Sequence, residues 1–178
     1  MNNLKCADVA IIMGSDSDLN IMSEACKLLD YFKITYVCTI VSAHCTPKRL
    51  YDFAKNAAHN DFKIIIAGAG GAAHLPGMVA SLTTLPVIGV PIKTSILGGQ
   101  DSLLSIVQMP KDVPVATVGI NNSFNAAMLA CRILSIESKD ISIKLSNYNM
   151  SKECEIIEKA TILENKGHIE YLNQRVIL

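Results

Sequence analysis

The residues best suited to proton transfer stand at the ends of apolar runs. His44 follows Val41-Ser42-Ala43, and His74 follows the glycine-rich stretch Gly68-Ala69-Gly70-Gly71-Ala72-Ala73. An imidazole with an ordinary pKa of about 6.5 gives and takes protons near neutrality, which makes His44 the best-placed general acid/base. Cys45 is its neighbour, so a Cys-His nucleophile pair has to be weighed. Adjacent residues at a bend point apart and no orienting carboxylate is evident, so proton transfer is the stronger reading. A metal site built from His44, Cys45 and His74 lacks a completing ligand. His59 and His168 read as solvated surface residues.

A second chemistry-bearing stretch is Gly14-Ser15-Asp16-Ser17-Asp18, between an apolar run and a helical pattern. Free N–H groups at such a junction can hold an anion such as a phosphate, and Ser15 and Ser17 add hydroxyls. Asp18 repels a phosphate but can accept hydrogen bonds from ribose hydroxyls. Simple helix capping is the alternative. Gly68 to Ala73 formally matches the dinucleotide fingerprint GxGxxA. It follows the third apolar run rather than the first, and no acidic residue closes the next run. It also lacks the Gly-Lys-Ser/Thr of a triphosphate loop. A backbone nest for a carboxylate or phosphate remains.

These loops need elements to hold them. Val9–Met13 reads as a first strand, and Asp18 to Asp30 as a helix with Leu19, Met22, Cys26 and Leu29 on one face. Ile34–Val41 is a β-branched second strand. Thr46-Pro47 suggests an N-cap and first helical position, ahead of a helix burying Leu50, Phe53, Ala54 and Ala57. Lys63–Ala67 is the third strand, Val87–Val90 the fourth and Val113–Val118 the fifth. Helices are expected at Met78–Leu82, Asp101–Gln108 and Asn125–Ser135. Such alternation predicts a parallel sheet with right-handed crossovers. The fold class is α/β: a flavodoxin-like, three-layer, doubly wound sheet of about five strands. Ligands of such sheets bind beyond the carboxyl ends of the strands, which selects the loops above.

Composition bounds the rest. The 178 residues fit one domain, and 16 basic against 16 acidic residues leave no nucleic-acid footprint or membrane-surface patch. No apolar run approaches the ~18 residues a bilayer needs. The start, MNNLKCADVAIIM, lacks the plan of a secretory signal, and no CxxC pair exists, so a reducing cytoplasm is expected. Most cysteines sit in apolar periodic segments and read as small hydrophobes. Between Ile64 and Pro110 only Lys93 and Asp101 are charged. That bareness fits a sheet covered on both faces, and beyond it a subunit interface. Residues 1–136 read as one catalytic domain. Residues 137–178 read as a helical extension, with stripes at Ile141, Leu145, Tyr148 and at Ile156, Ile157, Ala160, Leu163, packing on the domain or on a neighbouring subunit.

The motifs IIMGSDSDL, VSAH-TP, IIIAGAGGAAHLPGMVA, PVIGVP, DSLLSIVQMP and PVATV, spread over Val9 to Leu134, carry a resemblance. The sequence resembles the bacterial class I 5-(carboxyamino)imidazole ribonucleotide mutases of de novo purine biosynthesis, relatives of the aminoimidazole ribonucleotide carboxylases. The resemblance implies a homo-octamer with sites shared between subunits, a small-molecule ribonucleotide substrate, and neither metal nor organic cofactor. It implies a carboxylate moved from the exocyclic amine to ring carbon 4, with His44 carrying the proton. Ser15 and Asp18 match residues that hold the ribose phosphate part. Gly70, Gly71, His74 and Leu75 match the loop around the travelling carboxylate. Ser42, Ala43 and Gly99-Gln100-Asp101-Ser102 match nearby loops. At Cys45 the bacterial mutases usually carry an Arg that binds the phosphate, and the animal-type carboxylases more often a Lys. Loss of that contact costs on the order of 1.5–3 kcal/mol unless Lys48, Arg49 or Lys93 substitutes. The alternatives are a carboxylase using free carbon dioxide and a non-catalytic nucleotide-binding module.

Overall fold

A computed structural model describes residues 7–175. Cys6 and the first half of the N-terminal reading lie outside the described residues. Five parallel strands alternate with helices: β1 (Val9–Met13), α1 (Leu19–Phe32), β2 (Tyr36–Ile40), α2 (Pro47–Asn56), β3 (Ile64–Gly70), α3 (Leu75–Ala80), β4 (Val87–Ile92), α4 (Gln100–Val107), β5 (Ala116–Thr117) and α5 (Ser123–Leu134). The sheet order β2-β1-β3-β4-β5 is the flavodoxin-like order, with its switch point between β1 and β3. All strand pairs are parallel. Every residue of β1 and β4 is buried, and all of β3 except Gly70. Burial on both faces is why these strands read as continuous apolar runs rather than alternating ones.

Register positions the loops. Met13 pairs with Ile40 on one side and Gly68 on the other. Gly70 pairs with Ile92. The carboxyl ends of four strands therefore finish close together, and the loops after them open on one edge of the sheet.

Several elements differ from the sequence reading. The first helix begins later, because Asp16–Asp18 form a separate 3₁₀ turn. Its buried face is Met22, Ala25, Leu28, Leu29 and Phe32, while Leu19 is exposed and Cys26 half-buried. A Cβ at Gly68 would overlap the Met22 sulfur, so this glycine lets α1 lie close on β3. β3 runs three residues further than expected, since Gly68, Ala69 and Gly70 pair with Val90, Pro91 and Ile92. β5 shrinks to two residues that pair with Ile88 and Gly89 alone. Pro114, which has no N–H to donate, precedes it. α3 starts early, at Leu75, with Pro76 in its first turn. α2 buries Leu50, Phe53 and Ala54 as expected, and Ala57 just beyond it is buried too. Thr46 makes no side-chain cap to α2. Among the described cysteines, all free, only Cys131 is buried; Cys38, Cys45 and Cys154 are exposed, contrary to the hydrophobe reading.

The chain divides into two compact units between Leu134 and Ser135. The second contains α6 (Lys139–Arg175), one long helix interrupted at Gly167, where φ is 71° and ψ 163°. Its Ile156, Ile157 and Leu163 are exposed. Among the described residues no helix is long and apolar enough to cross a membrane.

Candidate active site

A cavity of about 390 Å³ opens at the carboxyl ends of β1, β2, β3 and β4. From the sequence-derived set it gathers Ser15, Asp18, Ser42, Ala43, His44, Gly70, His74 and Leu75. Cys45 and Gly71 are not in its wall. Ser17, Ala72, Ile92, Lys93 and Thr94 are.

The turn after β2 is closed on itself. The Ser42 N–H donates to Thr46 Oγ1 at 3.0 Å, and that hydroxyl donates back to the Ser42 carbonyl at 3.0 Å. The Thr46 N–H reaches the same carbonyl at 3.1 Å, and the Cys45 N–H donates to Ser42 Oγ at 3.2 Å. Thr46 thus braces the turn rather than capping α2. The turn brings His44 to the cavity and leaves Cys45 exposed outside its wall.

His44 meets His74 across the cavity. Nε2 of His44 lies 2.8 Å from Nδ1 of His74, with the rings edge-to-face at 81°. One proton serves this contact: one nitrogen donates and the other accepts. The pair is a unit able to hand a proton to, or take one from, a group bound in the cavity.

The glycine-rich turn is anchored from behind. Gly71 takes φ 66°, a left-handed conformation that favours glycine. Its N–H donates to Ser102 Oγ at 2.9 Å, and that hydroxyl donates to the Ile92 carbonyl at 2.6 Å. Ser102 is fully buried and ties the end of β3 to the end of β4. Ala73 and His74 direct their N–H groups to the carbonyls of Gly71 and Ala72, both at 2.8 Å. These three N–H groups are therefore turned to partners within the chain. Gly68 to Gly70 are strand. Asp101 accepts from the Thr94 hydroxyl, with its carboxylate oxygens at 2.9 and 3.0 Å. The segment at Gln100–Ser102 thus supports the wall without forming it.

After β1, Ser15 caps the 3₁₀ turn: its Oγ accepts from the Ser17 N–H at 3.3 Å and donates to Asp16 at 3.0 Å. Ser15 thus caps this turn and also lines the cavity. Burial pushes the Asp18 carboxyl above its ordinary value, against hydrogen bonds from the Ser15 and Gly14 backbone and the Ser17 side chain. Among the described residues no group of three or more His, Cys, Asp and Glu is disposed to hold a metal ion.

A family model described as AIR carboxylase matches residues 8–155, which include every loop of this cavity. The chain belongs to the AIR carboxylase family. Within it, the chain is 59% identical over 167 residues to the N5-carboxyaminoimidazole ribonucleotide mutase of Thermotoga maritima, covering 94% of this chain and 98% of that one. It is 55% identical to the phosphoribosylaminoimidazole carboxylase of Saccharomyces cerevisiae over 94% of this chain but 29% of that longer protein. A crystal structure of Treponema denticola PurE superposes with a TM-score of 0.81 at 32% identity, over 87% of this chain and 97% of that one.

Three residues of this AIR carboxylase family member were offered by the sequence as substitutes for a cation at position 45. Lys48 pairs with Asp52 at 2.7 Å, on the surface of α2. Arg49 donates from Nε to the Ile40 carbonyl at 3.0 Å and from Nη2 to Thr39 Oγ1 at 3.1 Å, bracing the edge of β2. Lys93 alone of the three lines the cavity. The Lys48–Asp52 pairing was readable as an i,i+4 spacing of opposite charges. Thr94 and Ile92 carried no signal, because β4 was expected to stop at Val90.

Proposed function

We propose that this protein is an N5-carboxyaminoimidazole ribonucleotide mutase, converting that ribonucleotide to 4-carboxy-5-aminoimidazole ribonucleotide in purine biosynthesis. The observation that carries the reading is the His44–His74 contact in the strand-end cavity of a chain so similar, end to end, to a mutase. The reaction breaks the bond between the exocyclic nitrogen and the carboxylate carbon. His44 in its protonated form gives a proton to that nitrogen as carbon dioxide leaves. The electron-rich ring carbon 4 then attacks the carbon dioxide, forming the new carbon–carbon bond. Neutral His44 removes the proton from carbon 4 and is restored. Protons and electrons balance with no outside reagent.

The other roles follow from placement. His74 shares its proton with His44 and orients it. Ala69, Ala72 and Leu75 present small or apolar surface beside the two rings, suited to retaining carbon dioxide and excluding water. Asp18 accepts from ribose hydroxyls, with Ser15 and Ser42 as neighbouring polar contacts. Gly71 acts through its turn, and Cys45 sits beside the site.

The acting form is a homo-octamer in the cytoplasm. Ile96 is 89% exposed, and Leu97, Leu104 and Val107 are also exposed, all in the charge-poor segment after β3. Apolar surface of this kind suits burial between subunits. The exposed apolar side chains of α6 suit the same use on a neighbouring subunit.

The identity to fungal carboxylases over the same segment favours a second reading, carboxylation of aminoimidazole ribonucleotide by free carbon dioxide. Feeding purified protein the carboxyamino ribonucleotide without bicarbonate separates the two. The mutase converts it. No conversion, together with turnover of the uncarboxylated ribonucleotide under carbon dioxide, identifies the carboxylase. Bound nucleotide with neither reaction identifies a binding module.

A further inference from the structure

A ribonucleotide monophosphate brings roughly −1.5 to −2 charge at neutral pH. The cavity described above contributes one carboxylate, Asp18, and one cation, Lys93. Lys93 also lines an adjoining pocket of about 420 Å³, together with Ser17, Asn20, Ser95 and Asn121. No carboxylate lines that second pocket; its polar wall is hydroxyl, amide and ammonium. Such a wall suits an anion.

The strand end that carries Lys93 is fixed while its side chain is exposed. The Lys93 N–H donates to Asn121 Oδ1 at 2.8 Å, and the Asn121 N–H donates to the Pro91 carbonyl at 2.8 Å. Thr94, the next residue, is held by Asp101. Lys93 takes part in no salt bridge among the described residues, whereas Lys48 is paired and Arg49 is spent on β2.

We propose that Lys93 binds the substrate phosphate at the junction of the two pockets, supplying the positive charge that Cys45 does not. The proposal rests on the ribonucleotide reading. It places the phosphate near the Ser17 hydroxyl and the base toward His44.

Calorimetric titration of the whole protein with 5-aminoimidazole ribonucleotide and with its ribonucleoside tests it. In Lys93→Met the ribonucleotide should bind at least tenfold more weakly and the ribonucleoside within twofold of the parent protein. KM should rise in step while kcat at saturation stays within about threefold, and Lys93→Arg should recover most of the affinity. An equal loss for both ligands, or no loss for the ribonucleotide, overturns the proposal. If the parent protein turns over neither substrate, the mutase and carboxylase readings fail instead. Inorganic phosphate then still probes Lys93: binding lost in Lys93→Met supports the assignment, and binding retained refutes it.

Discussion

His44 Nε2 stands 2.8 Å from His74 Nδ1, although thirty residues separate the two in the chain. The contact exists because β2 and β3 flank β1, β2 ending level with it and β3 two residues beyond, so the turns that follow them face each other. The two histidines should therefore act together on a group bound in the cavity. His44→Asn keeps the shape of the side chain but gives up proton transfer, and turnover should fall by about 10²–10⁴-fold or more. Ligand affinity should stay close to that of the parent. His74→Asn should cost less, because His44 keeps its turn and loses only its partner. Steady-state kinetics, with calorimetric affinities, checks both.

Asp18 links the site to stability. Burial raises its carboxyl pKa in the fold, so the folded chain binds more protons than the unfolded one between 3.8 and the raised value. Its contribution therefore makes stability fall as pH rises through that window, and the deficit persists above it. Asp18→Asn should remove this fall and make the protein more resistant to urea at pH 7, while weakening ribonucleotide binding. Urea titrations at several pH values, paired with binding isotherms, read the two effects separately.

The reading from sequence succeeded where periodicity or position decides the answer. β1 was legible to the residue, and the inner face of α2 follows from the spacing of Leu50, Phe53 and Ala54. The strand-end rule selects the loops that line the cavity. What failed depends on neighbours in space. Gly68-Ala69-Gly70 has poor strand propensity and becomes strand because β4 lies alongside, with β1 pairing Gly68 on the other side. Of the three candidate cations, only the placement of β4 singled out Lys93, and the contact between His44 and His74 is set by strand order rather than by any local pattern.

Ser102 carries no chemistry but holds two walls together. Ser102→Ala leaves the Gly71 N–H without its acceptor in a closed environment, which costs about 1–3 kcal/mol. Thermal unfolding should show that loss. KM should also rise, since Gly70 and Ile92 both line the cavity. A Ser102→Ala variant as stable as the parent would remove the tie from the account.

Cys45 lies beside the cavity and is exposed. Cys45→Arg should fold normally and lower KM for the ribonucleotide by adding a cation beside the cavity. A tenfold rise in KM instead would mean that this protein has built its phosphate contacts around the smaller side chain. Steady-state kinetics on the purified variant provides the measurement.

The transfer itself is tested most directly by isotope. Carboxyamino ribonucleotide labelled with carbon-13 in its carboxylate is incubated with the protein in buffer containing unlabelled carbon dioxide. If the carbon dioxide released is held beside His44 and His74 and recaptured at carbon 4, the carboxyaminoimidazole product keeps the label. A product carrying the unlabelled carbon of the buffer would contradict the account.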